Sequence, residues 1–357
     1  MKKAVLLLLI VLISSLAGAK GLPALSIEEL DQHFFSGEKV ERTILIKRKP
    51  TKAYEAVLSW ESIVAPAVIE RGRENINLGS LPESYFKVLL KMPDVKRRTD
   101  LIWKINVVIK EKLNTGREIC YNLKHKINYI VFPNDIPHNI KNILFEKQIG
   151  IVDPKGELRK IIEHLDIPFT LLNSQLSLET FQGDLIIIGP DALTSEHLWN
   201  GLLLLEDKGL SVLCFSHKKQ PKFPLPIEAS DEAPILVLRI SAFTHPVFQE
   251  IKERDLSNWR VDGIIGRYLF QLPVGNFRAL VRTDLPDNAA SPLIELQYDE
   301  GKFIFCQLPV IEKFMEEPIA RLLFENLIRY SLIEQDVLTN LVETGRDLSD
   351  TKNQKPK

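Results

Sequence analysis

The chain has 357 residues, of which 45% are hydrophobic and 26% charged, a composition typical of a folded protein with room for two domains. Its formal net charge of −1 excludes a bulk attraction to nucleic acid or to an anionic membrane. No local basic patch stands out along the sequence, so no nucleic acid or other polyanion is predicted as a partner.

The first residues predict export. Lys2 and Lys3 precede a short apolar run, and Ala17 and Ala19 fit the small-x-small pattern of a signal-peptidase site. The apolar run is too short to span a bilayer. We therefore expect a signal peptide over residues 1–19, cleavage after Ala19, and a periplasmic or extracellular protein without a stable membrane anchor.

The next part of the chain predicts an all-β domain. After a lead-in segment over 20–39, residues 40–132 show apolar side chains at every second position, and turn-like residues punctuate the runs. Such alternation buries one face of each strand, which favours an antiparallel β-sandwich. The clearest run has its predicted inward residues at Leu101, Trp103, Ile105, Val107 and Ile109.

A linker over 133–144 separates this region from an α/β domain over 145–335. The strand at 184–189 is fully apolar, as expected for a central parallel strand. A helix capped by Asp153 is predicted to begin at Pro154, a second helix covers 194–208, and a third begins near Pro318. The β-α-β-α-β order predicts a doubly wound sheet. The polar residues 336–357 are expected to be a disordered tail.

The three cysteines, Cys120, Cys214 and Cys306, are predicted to be buried thiols, because they are odd in number and lie in apolar segments. Cys214 lies at the carboxyl end of a predicted strand, where α/β sheets bind ligands. A nucleophile there needs a sharp turn with adjacent glycines, but its neighbours are Leu213 and Phe215. The sequence therefore assigns no catalytic residue.

Four residues are predicted to bind a ligand. Trp259, Arg260 and Asp262 together offer an aromatic face and hydrogen-bonding groups suited to a sugar, and His217 follows the strand of Cys214. The seven histidines are scattered without metal-ligand spacing, so no metal site is predicted. No glycine-rich nucleotide loop is present either, and no cofactor is predicted.

Several segments form an ordered set that resembles a known family. The segments are 245–248, 255–260, 291–295, 301–308 and 317–327, with 35–43 and 90–96 in the first region. They resemble the accessory C-terminal region of secreted bacterial proteins related to family 2 glycoside hydrolases (β-galactosidase-like). The resemblance implies an immunoglobulin-like sandwich followed by a flavodoxin-like α/β domain of the class I glutamine-amidotransferase type.

The amidotransferase resemblance also implies what this chain lacks. That superfamily places its nucleophile in Gly-x-Cys-x-Gly and a histidine after a late strand, whereas both patterns are lost around Cys214 and after Cys306. We therefore expect an exported, non-catalytic, carbohydrate-associated binding or assembly protein, whose partner is a carbohydrate or a sugar-active enzyme. Two alternatives stay open: a glycoside hydrolase acting through unidentified carboxylates, and a protein-protein interaction scaffold. The sequence does not predict the oligomeric state.

Overall fold

The computed structural model describes residues 22–27, 32–48, 54–112, 115–135, 140, 144, 147–193, 210–216, 238–257, 269–271, 277–283, 290–298 and 301–332. The chain divides into two compact units, Met1–Asn134 and Asp135–Lys357. The predicted signal peptide, the helix over 194–208 and the tail over 336–357 lie outside the described residues.

The first unit is built from strands alone within its described part. Two sheets form it, one with the order β1-β3-β6 and one with the order β2-β8-β7-β4-β5. The β2–β8 pair is parallel, and the other neighbours pair antiparallel. The predicted lead-in over 20–39 supplies the first two strands. The strands are β1 Ala24–Ile27, β2 His33–Phe35, β3 Lys39–Lys47, β4 Tyr54–Val64, β5 Ala67–Leu78, β6 Glu83–Lys91, β7 Thr99–Lys112 and β8 Glu118–Phe132.

The two sheets of this unit share one hydrophobic core. The alternation predicted for residues 101–109 is confirmed, because the inward residues of β7 are all buried. Ile44 and Ile46 of β3 and Val88 and Leu90 of β6 meet them from the other sheet. Residues between the core positions of the five-stranded sheet therefore face outward.

The second unit combines strands and helices around a larger sheet. Its strands are β9 Ile149–Val152, β10 Thr170–Leu171, β11 Leu185–Ile188, β12 Ser211–Phe215, β13 Leu238–Ile240, β14 Phe270–Gln271, β15 Phe277–Thr283, β16 Ala290–Ser291, β17 Leu293–Tyr298 and β18 Gly301–Cys306. The helices within its described residues are α1 Glu157–His164, α2 Gln175–Thr180, α3 Glu253–Ser257, α4 Val310–Lys313 and α5 Pro318–Leu332, with a 3₁₀ helix at Pro246–Phe248.

The main sheet has the order β10-β9-β11-β12-β18-β17-β15-β13, and β14 pairs with β16 in a small separate sheet. The first five strands run parallel, whereas β17, β15 and β13 continue the sheet antiparallel. The mixed β and α/β composition predicted from the sequence is confirmed at this level. The chain passes from β9 to β10 on one side and then to β11 on the other, so the order reverses between β9 and β11.

Local predictions in this unit have mixed outcomes. The apolar strand predicted at 184–189 is confirmed, since every residue of β11 is buried between β9 and β12. The helix predicted to begin at Pro154 begins instead at Glu157. The reason is Gly156, whose φ of 73° is left-handed and cannot belong to the helix. Asp153 still accepts a hydrogen bond from the Arg159 amide at 2.7 Å.

The prediction that the cysteines are buried is confirmed for Cys214 and Cys306 and wrong for Cys120. Cys120 lies on β8 directly opposite Lys110 of β7. Both residues are exposed, because this position of the strand faces outward. The apolar letters around Cys120 misled the prediction, since the alternation of the strand decides which of them are covered.

Candidate functional site

The four predicted binding residues, Trp259, Arg260, Asp262 and His217, lie outside the described residues. The structure therefore does not bring them together or separate them, and they stay predictions. Three described regions carry clusters of polar groups: the carboxyl edge of the parallel strands, a buried network near β17, and the outer face of the five-stranded sheet.

At the carboxyl edge, Cys214 is not placed to react. It is buried in the core of the second unit, and its Sγ lies 3.9 Å from the Phe215 carbonyl oxygen. Burial raises the pKa of the Cys214 thiol well above its ordinary value. Because the thiolate is the nucleophilic form of cysteine, this environment suppresses the reactivity that the position of Cys214 suggests.

The loops at this edge are tied closely to one another. The Gly189 amide donates to the Val152 carbonyl at 2.9 Å, and the Asp191 amide donates to the Ser216 carbonyl at 3.0 Å. A Cβ at Gly189 would lie 2.8 Å from Oδ1 of Asp153, so only glycine allows this approach. The point where the strand order reverses, which is the usual ligand crevice of such sheets, is therefore narrow here.

Two pairs of charged or polar side chains contact each other among the described residues of this edge. Lys155 donates to Asp191, and this hydrogen bond raises the pKa of the lysine despite partial burial. The hydroxyl of Ser216 donates to Oε1 of Glu312 at 3.0 Å. These groups already have internal partners, which weakens the case for a ligand at this edge.

A second cluster is buried around Glu295 of β17. The Tyr330 hydroxyl donates to Glu295, and Nε2 of His245 lies 3.4 Å from the other carboxylate oxygen. Lys302 donates to the Tyr330 carbonyl at 3.0 Å and lies 3.8 Å from the centre of the Tyr330 ring. Burial opposes ionisation of Glu295, but His245, Tyr330 and Lys302 outweigh it and lower the pKa of this carboxyl. Burial lowers the pKa of Lys302. This network joins β17, β18 and α5.

The outer face of the five-stranded sheet holds an open groove of about 800 Å³. Pairing of β5, β4, β7 and β8 places the groove residues in three rows across the strands. The side chains of the middle row point toward the core, so the backbone of this row forms the floor of the groove. The two outer rows form the walls, in which the five cations are exposed and Ser59, Glu61 and Asn106 are partly buried. The middle row is Gly72, Trp60, Ile105 and His125; the walls are Arg73, Ser59, Asn106 and Lys124 on one side and Arg71, Glu61, Lys104 and Lys126 on the other.

Gly72 and Trp60 shape this floor. A Cβ at Gly72 would lie 2.0 Å from Cζ2 of Trp60, because the indole covers the glycine directly. Trp60 also packs against the hydrophobic core of the unit. The close contact fixes the edge strand β5 against β4, and with it the two arginines on either side of Gly72.

The walls of the groove carry a surplus of positive charge. We call the five cations the basic face. Arg71 pairs with Glu61 at 3.3 Å. Within the described part of the chain, the other four cations make no ion pair. The members of the basic face, all exposed, are Arg71, Arg73, Lys104, Lys124 and Lys126.

The basic face is not recognisable as a patch in the sequence, because its members come from three separate strands. A signal was present: Arg71-Gly-Arg73 and Lys124-His-Lys126 each place two cations at alternate positions. In a strand, alternate positions share a face. Only the order β5-β4-β7-β8 brings these pairs together with Lys104.

No protein-family model and no curated protein matches this sequence. Among solved structures, a putative late embryogenesis abundant protein aligns over 36% of this chain and 85% of its own, at 11% identity and a TM-score of 0.24. The sporulation control protein Spo0M of Bacillus subtilis aligns over 35% of this chain and 54% of its own, at 17% identity and a TM-score of 0.22.

A cycloisomaltooligosaccharide glucanotransferase of Paenibacillus sp., complexed with cycloisomaltoheptaose, aligns over 54% of this chain at 8% identity and a TM-score of 0.22. This chain spans only 28% of the length of that enzyme. Similarities with such low TM-scores assign neither a common fold nor a function.

The described residues hold neither a membrane-spanning helix nor a metal-binding cluster. None of their helices has the length and apolar character needed to cross a membrane. The same residues contain no group of three or more histidine, cysteine, aspartate or glutamate side chains arranged to hold a metal ion.

Proposed function

We propose that this chain is an exported, carbohydrate-associated binding protein without catalytic activity, and that its first unit holds the carbohydrate. The observation that carries the proposal is the groove on the outer face of the five-stranded sheet. It is open, about 800 Å³ in volume, and crosses four strands. A site of this form suits an extended chain better than a small molecule, which proteins usually enclose.

The chemistry of the walls supports a ligand rich in hydroxyl groups. Ser59 and Asn106 lie side by side in one wall, and Glu61 lies in the other. The hydroxyl and amide groups donate and accept hydrogen bonds and the carboxylate accepts them, which matches the donors and acceptors of sugar hydroxyls. The floor consists of backbone, since Gly72 has no side chain and the Trp60 ring lies on the core side. This leaves room for a sugar chain to lie flat.

We also propose that the first unit is an immunoglobulin-like sandwich. A three-stranded sheet, β1-β3-β6, faces a sheet of order β2-β8-β7-β4-β5. In immunoglobulin lettering, β1, β3 and β6 correspond to strands A, B and E of one sheet. In the other sheet, β8, β7 and β4 correspond to G, F and C, and β2 and β5 are additional strands at its two edges. That grouping is the one found in immunoglobulin domains.

For the second unit, we propose a flavodoxin-like domain of the glutamine-amidotransferase type. Numbered along the chain, its parallel strands β10-β9-β11-β12-β18 have the order 2-1-3-4-5, which is the flavodoxin-like order. The burial of Cys214 and the internal pairing at the carboxyl edge support a role without amidotransferase chemistry. An assembly role beside a sugar-active enzyme fits such a domain.

Two assays on the mature protein test this proposal. A glycan array measures binding, and a panel of aryl glycosides measures turnover. Glycan binding without turnover is the expected result. Turnover that survives Cys214→Ala but not a carboxylate substitution would replace the proposal with the glycoside hydrolase. Neither binding nor turnover would favour the scaffold, and intact mass beginning at Met1 would contradict export with cleavage after Ala19.

A further inference from the structure

We infer that the basic face binds an acidic polysaccharide, a linear glycan that carries carboxylate or sulfate groups. The inference rests on the proposed function and names the class of its ligand. It is drawn from the charge, the strand register and the lining of the groove.

The groove has a local charge that the whole chain does not share. Its walls hold five exposed cations and one carboxylate, Glu61, whereas the whole chain has a formal net charge of −1. Such a concentration of one sign attracts ligands of the opposite sign. Glu61 forms an ion pair with Arg71 and lies opposite Lys104 in the register. One carboxylate therefore meets five cations, and the remaining surplus of positive charge calls for an anionic ligand.

The register of the strands adds a second observation. Lys104 of β7 lies directly opposite Lys126 of β8, on the same outward side. Like charges directly opposite each other destabilise a strand pair. An anionic group bound between the two ammonium groups would remove this repulsion, so ligand binding and sheet stability are coupled at this pair.

The distribution of the cations favours a polymer over a single anion. They extend from β5 at the sheet edge to β8, across four strands about 4.8 Å apart, or about 14 Å. A single small anion reaches only one or two of them. A linear glycan with repeated acidic groups reaches cations on both walls. Ser59 and Asn106 lie between Arg73 and Lys124, where they can contact the uncharged hydroxyl groups of the glycan.

The lining of the groove argues against other polyanions. Sites for single-stranded nucleic acid combine a basic groove with exposed aromatic rings for base stacking, and none of the eight wall residues is aromatic. Trp60, on the floor, turns its ring over Gly72 on the core side. Attachment to an anionic membrane usually adds apolar side chains that enter the bilayer, and the walls are polar throughout.

The test compares two variants with the wild-type full chain. Lys104→Gln/Lys124→Gln/Lys126→Gln removes three cations of the basic face. Lys39→Gln/Lys87→Gln/Lys91→Gln removes three exposed lysines of the other sheet. The control matches the change in net charge, and Lys39 and Lys91 also face each other across a strand pair. Circular dichroism verifies that both variants are folded.

The probes are polygalacturonate, neutral galactan, single-stranded DNA and vesicles of anionic phospholipid. We expect the wild type to bind polygalacturonate, the first variant to bind it about tenfold more weakly or worse, and the control to stay within about twofold. Equal loss in both variants would overturn the inference. Equally tight binding to DNA or to vesicles, lost in the same variant, would also overturn it.

The outcomes separate the inference from the proposed function. Binding of galactan but not of polygalacturonate would overturn the acidic ligand and leave the carbohydrate-binding function standing. Absence of binding to either glycan by the folded wild type would contradict both.

Discussion

Two regions of this chain, the polar clusters of the second unit and the basic face of the first, treat charged side chains in opposite ways. In the second unit, Lys155 lies against Asp191 at the carboxyl edge, and Glu295 lies in the core between His245, Tyr330 and Lys302. On the basic face of the first unit, by contrast, four of the five cations have no ion-pair partner within the described residues. In our proposal, unbalanced charge on an outer sheet face, and not the usual ligand edge of the α/β fold, indicates the binding site.

Removing the centre of the buried network should have the largest effect on stability. Glu295→Ala leaves Lys302 buried without its counter-charge, and the expected loss in the free energy of unfolding is about 3–5 kcal/mol. Glu295→Gln still accepts the hydrogen bond of Tyr330 and should lose less. Urea denaturation of both variants measures the difference, and wild-type stability in Glu295→Ala would show that the network does not hold the second unit.

A change in the floor of the groove should have the next largest effect. Gly72→Ala places a methyl group 2.0 Å from the Trp60 indole, which must move. Overpacking of this kind costs about 1–3 kcal/mol. Gly79→Ala is the matched control, because a Cβ there meets nothing within 4 Å. Thermal unfolding should separate the two variants, and equal melting temperatures would refute the described contact.

The stability of the second unit should depend on pH through Glu295, which is buried among charged and polar groups, unlike the exposed cations of the basic face. The pKa of Glu295 in the folded protein is lower than its ordinary value of 4.5. The folded state therefore binds this proton less readily than the unfolded state. Its contribution to stability is fully present above the ordinary pKa and is lost as the pH falls through the folded pKa. Unfolding measured from pH 7 to pH 3 should show this loss in the wild type and less of it in Glu295→Gln.

The smallest expected effect on stability has the opposite sign. Lys126→Gln relieves the repulsion with Lys104 and should stabilise the first unit by about 0.2–1 kcal/mol, while it weakens polygalacturonate binding. Lys87→Gln is the contrasting variant, because Lys87 pairs with Glu41 at 2.6 Å and its loss should bring no gain. Destabilisation by Lys126→Gln would show that the basic face carries no repulsion.

Sequence alone predicted the elements whose pattern is local. The alternation of residues 101–109 and the apolar strand at 184–189 were recognisable because burial follows periodicity. Helix α1 was displaced by the left-handed Gly156, whose φ the sequence does not reveal. The basic face depends on strand order and register, which join Arg71 to Lys126 across the sheet, and no pattern within one strand contains that information.

We propose above that the basic face binds an acidic glycan through charge. The most direct test is the dissociation constant for polygalacturonate at several salt concentrations, in the wild type and in Lys104→Gln/Lys124→Gln/Lys126→Gln. Binding through charge weakens as salt rises, and each lost contact lowers the slope of log Kd against log salt by about one. We expect a clear slope in the wild type and a much shallower one in the variant. An identical slope in the two proteins would contradict the proposal.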